Sequence, residues 1–239
     1  YILDPNLLDI NRNTSEAKNW FLGESLLELQ KNWERRGSHL LILNGDPIKL
    51  ISKLADLIKA ECIYWNENIE PYEINRDKLI TELLLKEKRK VYTFLDQLLV
   101  NPVNIKTNND EPYKVYGPFY RKWINLINNT NIANNNSTQI LRTPENFRGM
   151  NKRELSLIKN SDLNYCITKE NKYICDLLSS NRFKNTNLCP CKPGEAESIK
   201  QLNFFINSGV INSYNQARDI PSLESTSNLS AALSLGTIS

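Results

Sequence analysis

Between residues 40 and 100 short apolar runs alternate with helical spacing, and this constrains the fold more than any other feature of the chain. Leu40-Leu41-Ile42-Leu43 is apolar throughout, as expected of a strand buried on both faces. In the turn Asn44-Gly45-Asp46-Pro47, Asp46 is a candidate N-cap and Pro47 suits a first helical position. Ile48, Ile51, Leu54, Leu57 and Ile58 then recur at helical spacing. Cys62-Ile63-Tyr64-Trp65 predicts the next strand, Lys78 to Leu85 a helix, and Val91-Tyr92-Thr93-Phe94 a further strand. Upstream, Ser15 is a candidate N-cap for a helix carrying Trp20, Leu22, Leu26, Leu29 and Trp33, which Gly37 ends. Tyr1-Ile2-Leu3 reads as the end of a strand. Repeated strand–helix–strand units of this length imply a parallel sheet wrapped by helices on both faces.

Several function classes are excluded or disfavoured. No strand is followed by Gly-x-Gly-x-x-Gly, so a nicotinamide site with that fingerprint is not expected. No apolar run approaches the roughly 20 residues that cross a bilayer, and no signal-peptide pattern opens the chain. The 239 residues are 40% apolar and 24% charged, enough for one large domain or one domain and part of a second. A net charge of +3, with signs interleaved, neither supports nor excludes DNA binding. Cys62, Cys166, Cys175, Cys189 and Cys191 lack the spacing of a zinc site, and the single histidine, His39, is far from the Cys189-Pro190-Cys191 pair. Reduced thiols of a cytoplasmic protein, with no metal, are the expectation.

The texture changes after Trp123. The stretch from Asn128 to Ser137 has almost nothing to bury and reads as a linker. From Gly149 to Asn185 the pattern allows short amphipathic helices at best. From Pro193 a helical pattern returns, with Ile199, Leu202, Phe204, Phe205 and Ile206 as an apolar side and no strand candidate. The expected division is an α/β domain over 1–127, a linker with short helices over 128–192, and the beginning of an all-helical domain over 193–239.

Three stretches, in order, resemble the photolyase/cryptochrome family. The first is Tyr64-Trp65-Asn66-Glu67-Asn68-Ile69-Glu70-Pro71-Tyr72 with Arg76-Asp77. The second is Pro112-Tyr113-Lys114-Val115-Tyr116-Gly117-Pro118-Phe119, leading to Trp123. The third runs from Pro193-Gly194-Glu195 through Tyr214 to Thr226-Ser227-Asn228-Leu229-Ser230 and Gly236-Thr237-Ile238-Ser239. Leu3-Asp4-Pro5 and Asn44-Gly45-Asp46-Pro47 fit as well. Within the family the resemblance is to cyanobacterial-type class I cyclobutane pyrimidine dimer photolyases. It implies a Rossmann-like parallel-sheet domain that can hold an antenna chromophore, followed by the start of an all-helical FAD-binding domain. It also implies an enzyme in which reduced, photoexcited flavin donates an electron to a pyrimidine dimer flipped out of damaged DNA.

The same resemblance places the flavin phosphates at Thr226, Ser227, Leu229 (through its backbone) and Ser230, with Tyr214 also touching the cofactor. Independently of family, Thr226 and Ser227 precede a helical run containing Leu229, Ala231, Ala232 and Leu233, and a helix N-terminus of this kind can take an anion. An ordinary Ser/Thr N-cap explains the same residues. The Trp65–Tyr72 loop at the C-terminal end of a parallel strand is either an antenna site or a packed aromatic loop. As antenna residues the resemblance implies Lys18, Asn68, Glu70 and Ser234. Asn68 stands where deazaflavin-binding relatives carry an acidic residue, Ser234 where they usually carry lysine, and Lys18 in place of an arginine. The antenna is thus a deazaflavin, a folate or absent.

The cluster Tyr113, Lys114, Tyr116, Phe119, Arg121, Lys122 and Trp123 has the composition of a nucleic-acid stacking surface, but an aromatic stripe leading into a helix more often packs domains together, and that reading is preferred. The resemblance further implies that the family's first strand and arginine-rich turn, its adenine and lesion pockets and its relay tryptophans lie outside these residues. No catalytic residue is therefore assigned. A monomeric, cytoplasmic DNA-repair photolyase is the leading expectation, with damaged DNA as partner and no membrane. A cryptochrome photoreceptor and an inactive truncated remnant are the alternatives.

Overall fold

In the computed structural model, the residues described are 1–8, 16–96, 98–129, 149–163, 165–166 and 191–238. Chain order within them is β1 (Ile2–Leu3), α1 (Pro5–Leu8), α2 (Glu16–Arg35), β2 (Ile42–Asn44), α3 (Pro47–Leu57), β3 (Cys62–Asn66), α4 (Pro71–Lys86) and β4 (Lys90–Phe94). A 3-10 turn at Pro102–Asn104 leads to α5 (Tyr116–Asn129), α6 (Lys152–Lys159) and β5 (Tyr165–Cys166). The C-terminal helices are α7 (Glu195–Asn207), α8 (Val210–Ala217) and α9 (Ser230–Leu235). No helix among the described residues is long and apolar enough to cross a membrane.

The local signals act as the sequence implies. Asp46 accepts the Ile48 N–H at 3.0 Å at the head of α3, with Pro47 behind it. Helix α4 contains the expected Lys78–Leu85 stretch and begins at Pro71. Proline fixes φ for a first helical turn and needs no N–H there, so Pro71 sets the start although the apolar spacing begins later. Ser15, the expected cap of α2, and the linker residues 130–137 lie outside the described residues.

The architecture is α/β with parallel pairing, but the strands form two small sheets instead of one. β1 and β2 are parallel, with Ile2 opposite Leu43, and β5 adds antiparallel to the other side of β2. β3 and β4 are parallel over five pairs, from Cys62–Lys90 to Asn66–Phe94. Helix α3 passes from the first sheet to the second. No described strand pairs with the free edges of β1 and β3. Between them lies an apolar groove of about 390 Å³, lined by Ile2, Leu43, Leu54, Ile58 and Ile63. Strand β5 falls where only short helices were expected; two residues are too few to show a period of two, and pairing with β2 defines them.

Helix α2 is the hub. One side packs Leu22 and Leu26 against Leu3 and Ile42 of the first sheet. Another packs Phe21 against Cys191, Leu229 and Ala232 of the C-terminal part, with Trp20 and Leu202 alongside. Ala55 of α3 joins Ile80 and Leu84 of α4 over Ile63, Trp65 and Val91 of the second sheet. On the opposite face of that sheet Tyr64 and Tyr92 stack 4.9 Å apart, with Tyr64 61% exposed. The apolar side expected on α7 does not bury as a unit: Leu202 packs inward, while Ile199, Phe204 and Ile206 are exposed. Positions 202 and 204 lie about 200° apart on a helix, so one stripe cannot hold both.

Two polar ties hold the α/β layers. Asp4, 2% exposed at the end of β1, accepts the Asn6 N–H at 2.9 Å and the Tyr72 hydroxyl at 2.8 Å. The Arg76 guanidinium lies 3.6 Å from the same carboxylate. Because Tyr72 and Arg76 belong to α4, this cluster joins the two sheets. At the other end of α4, Glu87 accepts from the Ser52 hydroxyl at 2.6 Å and from Arg89 at 3.0 Å, while Arg89 also donates to the Ala55 carbonyl at 3.1 Å. The Ser52 hydroxyl, and after it Arg89, hold the Glu87 carboxyl below the usual carboxylate range. The unfolded chain therefore takes up this proton more readily. The stabilisation is full above the ordinary glutamate range and fades as pH falls through the lowered folded-state value. Glu87→Gln should flatten the acid limb of a melting-temperature profile; an unaltered limb would show that the contact carries no proton linkage.

Candidate functional site

The turn from Ser225 to Ser230 is shaped by contacts from α7, α8 and α2. Gly209 takes a left-handed conformation, φ 80°, and lets α8 fold back on α7. There Phe205 meets Tyr214 edge to face at 6.3 Å, and the Arg218 guanidinium lies 5.6 Å from the centre of the Tyr214 ring. The buried Ser225 hydroxyl donates to the Ala217 carbonyl at 2.7 Å, fixing the turn to the end of α8, one helical turn past Tyr214. The Gln201 side-chain amide, from α7, donates to the Ser227 carbonyl at 3.1 Å. Leu229 is buried against Phe21.

Between these anchors Asn228 adopts φ 54°, and Leu229 follows at φ −92°, ψ 0°. A left-handed residue followed by a right-handed one aims successive N–H groups into one concavity, a backbone nest suited to an anion. The N–H groups of Asn228, Leu229 and Ser230 meet no acceptor among the described residues. Thr226 and Ser230 are exposed beside them, with the Thr226 hydroxyl 3.1 Å from the Asn228 side-chain oxygen. This donor set fits a phosphate.

The geometry corrects the sequence reading of this stretch. Thr226 and Ser227 do not cap a helix: α9 begins at Ser230, its cap position is Leu229, and no side chain caps it. A six-residue helix also contributes little dipole. The anion-binding geometry comes from Asn228, whose left-handed φ is tolerated by Asn better than by most residues. Its type, between Ser227 and Leu229, was the available signal. Gln201 carried none.

The expected antenna residues fall in separate places. Asn68 lines a cleft of about 520 Å³ beyond the C-terminal ends of β3 and β4, with Trp65, Ile69, Lys78, Thr93 and Val103. Lys18 and Ser234 line a second, smaller cleft of about 230 Å³ with Phe21 and Leu235. Glu70 belongs to neither; it is exposed at the cap position of α4 and its side chain makes no cap bond. Thr93 donates to Glu67 at 2.7 Å at the rim of the larger cleft. Tyr116, Tyr120 and Trp123 form a stacked ladder along α5 with centroids 5.9 and 6.0 Å apart, and Tyr116 is exposed. Cys62 and Cys191 form no disulfide among the described residues, and among those residues no group of three or more His, Cys, Asp or Glu could hold a metal.

Residues 1–135 match the family profile for DNA photolyase. The chain belongs to the DNA photolyase family. This photolyase-family chain is 32% identical over 238 residues to the deoxyribodipyrimidine photo-lyase of Synechococcus sp. (strain ATCC 27144), covering 100% of the chain and 45% of that protein. It is 27% identical to the deoxyribodipyrimidine photo-lyase of Agrobacterium fabrum, covering 93% of the chain and 42% of that protein. The chain thus spans less than half the length of these relatives. An uncharacterised 31.6 kDa protein of Synechococcus sp. (strain PCC 6716) is 28% identical, and there the match covers 75% of the relative. Among solved structures, a Synechocystis cryptochrome aligns with TM-score 0.74 at 17% identity, over 100% of the chain and 47% of its own. A class III photolyase from Agrobacterium tumefaciens aligns at 0.66 and 24%, over 100% and 44%. At these identities the structural likeness establishes the photolyase α/β fold and no more.

Proposed function

We propose that the chain is the N-terminal α/β domain and the leading edge of the flavin domain of a deoxyribodipyrimidine photo-lyase that repairs cyclobutane pyrimidine dimers in DNA. The observation that carries this reading is the Asn228–Ser230 nest, whose three N–H groups have no acceptor among the described residues. It lies within the stretch where the family resemblance puts the flavin phosphates. In this reading Thr226, Ser227 and Ser230 and the Leu229 backbone hold the pyrophosphate, and Tyr214 borders the cofactor. When bound, reduced FAD supplies the photoexcited electron that splits the dimer. The chain's own part is to present fixed donors that need no rearrangement when an anion arrives, and to bury Leu229 so that the turn stays closed. An antenna chromophore is assigned to one of the two clefts, Asn68 in the larger or Lys18 and Ser234 in the smaller. The α/β domain over 1–127, the linker to 192, the helical start from 193, a cytoplasmic site of action and a monomeric state belong to the same proposal.

Repair is preferred to blue-light signalling because the relatives at 32% and 27% identity both bear the photo-lyase name. A second reading, a shortened family member without repair activity, is favoured by the Synechococcus protein of which this chain spans 75%. Two assays divide these. The whole natural protein should remove dimers from ultraviolet-irradiated DNA under blue light and not in the dark. The 239-residue chain should be photochemically silent and bind FAD only weakly. Failure of light-dependent repair overturns the enzyme reading. FAD retained stoichiometrically by the 239-residue chain overturns the half-site.

A further inference from the structure

We infer that Gln201 is a positioning residue for the anion-binding turn, acting through the Ser227 peptide; this rests on the phosphate reading above and deepens it. The Gln201 amide holds the Ser227 carbonyl at 3.1 Å. A carbonyl and the N–H of the same trans peptide point in opposite directions, so anchoring the Ser227 oxygen toward α7 turns the Asn228 N–H away from α7. That orientation, with Asn228 at φ 54°, makes the first donor of the nest. A left-handed conformation is strained even for Asn, and the Gln201 bond offsets that strain.

Gln201 is itself held. Ser198, one turn earlier on α7, is fully buried, donates to the Gly194 carbonyl at 2.7 Å and meets the Thr237 hydroxyl at 2.9 Å. Leu202, the next residue, packs in the Phe21–Leu229 cluster. The head of α7 is fastened to α2, where Ser25 accepts the Gly194 N–H at 3.1 Å and Glu28 accepts the Ala196 N–H at 3.1 Å. Gln201 therefore relays the position of a rigid helix to a turn that has no regular hydrogen bonding of its own.

The test uses the full chain, isotopically labelled, with inorganic pyrophosphate as the probe and two amide readouts. One is the pyrophosphate dependence of the Asn228, Leu229 and Ser230 signals, and the other is the HN–Hα coupling that reports φ at Asn228. Gln201→Met keeps length and removes the donor. It should weaken pyrophosphate about five- to tenfold, the scale of one lost hydrogen bond, and shift the Asn228 coupling out of the left-handed range. Gln216→Met, on the exposed side of α8, should change neither. Asn228→Ala disfavours the same φ by another route and should match Gln201→Met, which keeps the question answerable if that variant folds poorly. Unchanged affinity and coupling in Gln201→Met overturn the proposal. So does a weaker affinity with Asn228 still left-handed and shifts spread over α7 and α8, since that is general loosening. If wild type ignores pyrophosphate while Gln201→Met still moves Asn228, the phosphate reading falls and the positioning role stands.

Discussion

Asp4→Ala should lower the unfolding free energy by about 3 kcal/mol, the low end for breaking a buried ion pair by removing one partner. The carboxylate accepts from Asn6 and Tyr72 and faces Arg76, whose side chain is only 15% exposed. Removing it takes one of two carboxylates from a part-buried guanidinium and the acceptor from a tyrosine hydroxyl. Arg76 keeps Asp77 at 2.8 Å and Tyr72 keeps Asn6 at 2.9 Å, which is why the low end applies. Asp4→Asn retains an acceptor and should lose less. The exposed pair Lys106–Asp110, at 3.0 Å, is the comparison, and Lys106→Ala, which leaves the left-handed Asp110 (φ 62°) in place, should cost well under about 1 kcal/mol. Urea unfolding followed in parallel for the three variants decides it. Asp4→Ala and Lys106→Ala losing equal stability would show that the cluster is decorative.

The second large effect is expected at Gly194. Its φ 98°, ψ 160° lies in a region that essentially only glycine visits, at a cost of about 1–3 kcal/mol for other residues. An added Cβ would also lie 1.6 Å from Glu28 Oε2, so the Glu28 carboxylate must shift at the head of α7 and its bond to the Ala196 N–H is disturbed. Gly194→Ala should thus strain the backbone and weaken the hold of Glu28 on the Ala196 N–H together. The expected sum is about 3 kcal/mol, with faster labelling of Cys191, which is buried where α2 meets the C-terminal helices. Gly209→Ala, at φ 80° with nothing within 4 Å of the added carbon, should cost only about 1 kcal/mol. Adding Glu28→Ala to Gly194→Ala removes the collision and leaves the strain. If the double variant is no more stable than the single after allowing for Glu28→Ala alone, the collision plays no part.

Local order was legible wherever a residue acts through its own backbone. Asp46 and Pro47 announced α3, the apolar run 40–43 announced β2, and Gly37 follows the end of α2. What was not legible depends on partners distant in sequence. The division into two sheets is decided by which edges meet, and β5 exists because Ile42 and Leu43 lie opposite it. At the candidate site the hydroxyl-rich stretch 226–230 stood out in the sequence. Its geometry did not, because it is set by Gln201 and by the Ala217 carbonyl accepting from Ser225. The expected antenna set joined residues by family position, and the folded chain places Asn68 apart from Lys18 and Ser234.

The open groove between β1 and β3 has a consequence for how the molecule assembles. The strands of each parallel pair lie close along the chain, joined through α2 in one pair and α4 in the other, so each pairing forms within its own short stretch and need not wait for the other. The later event is their meeting, which α3 tethers and the Asp4 cluster locks. Until then each half carries an adhesive border of unpaired backbone groups. The success of folding in such a chain is set less by how quickly either half forms than by whether the two find each other before either finds a stranger.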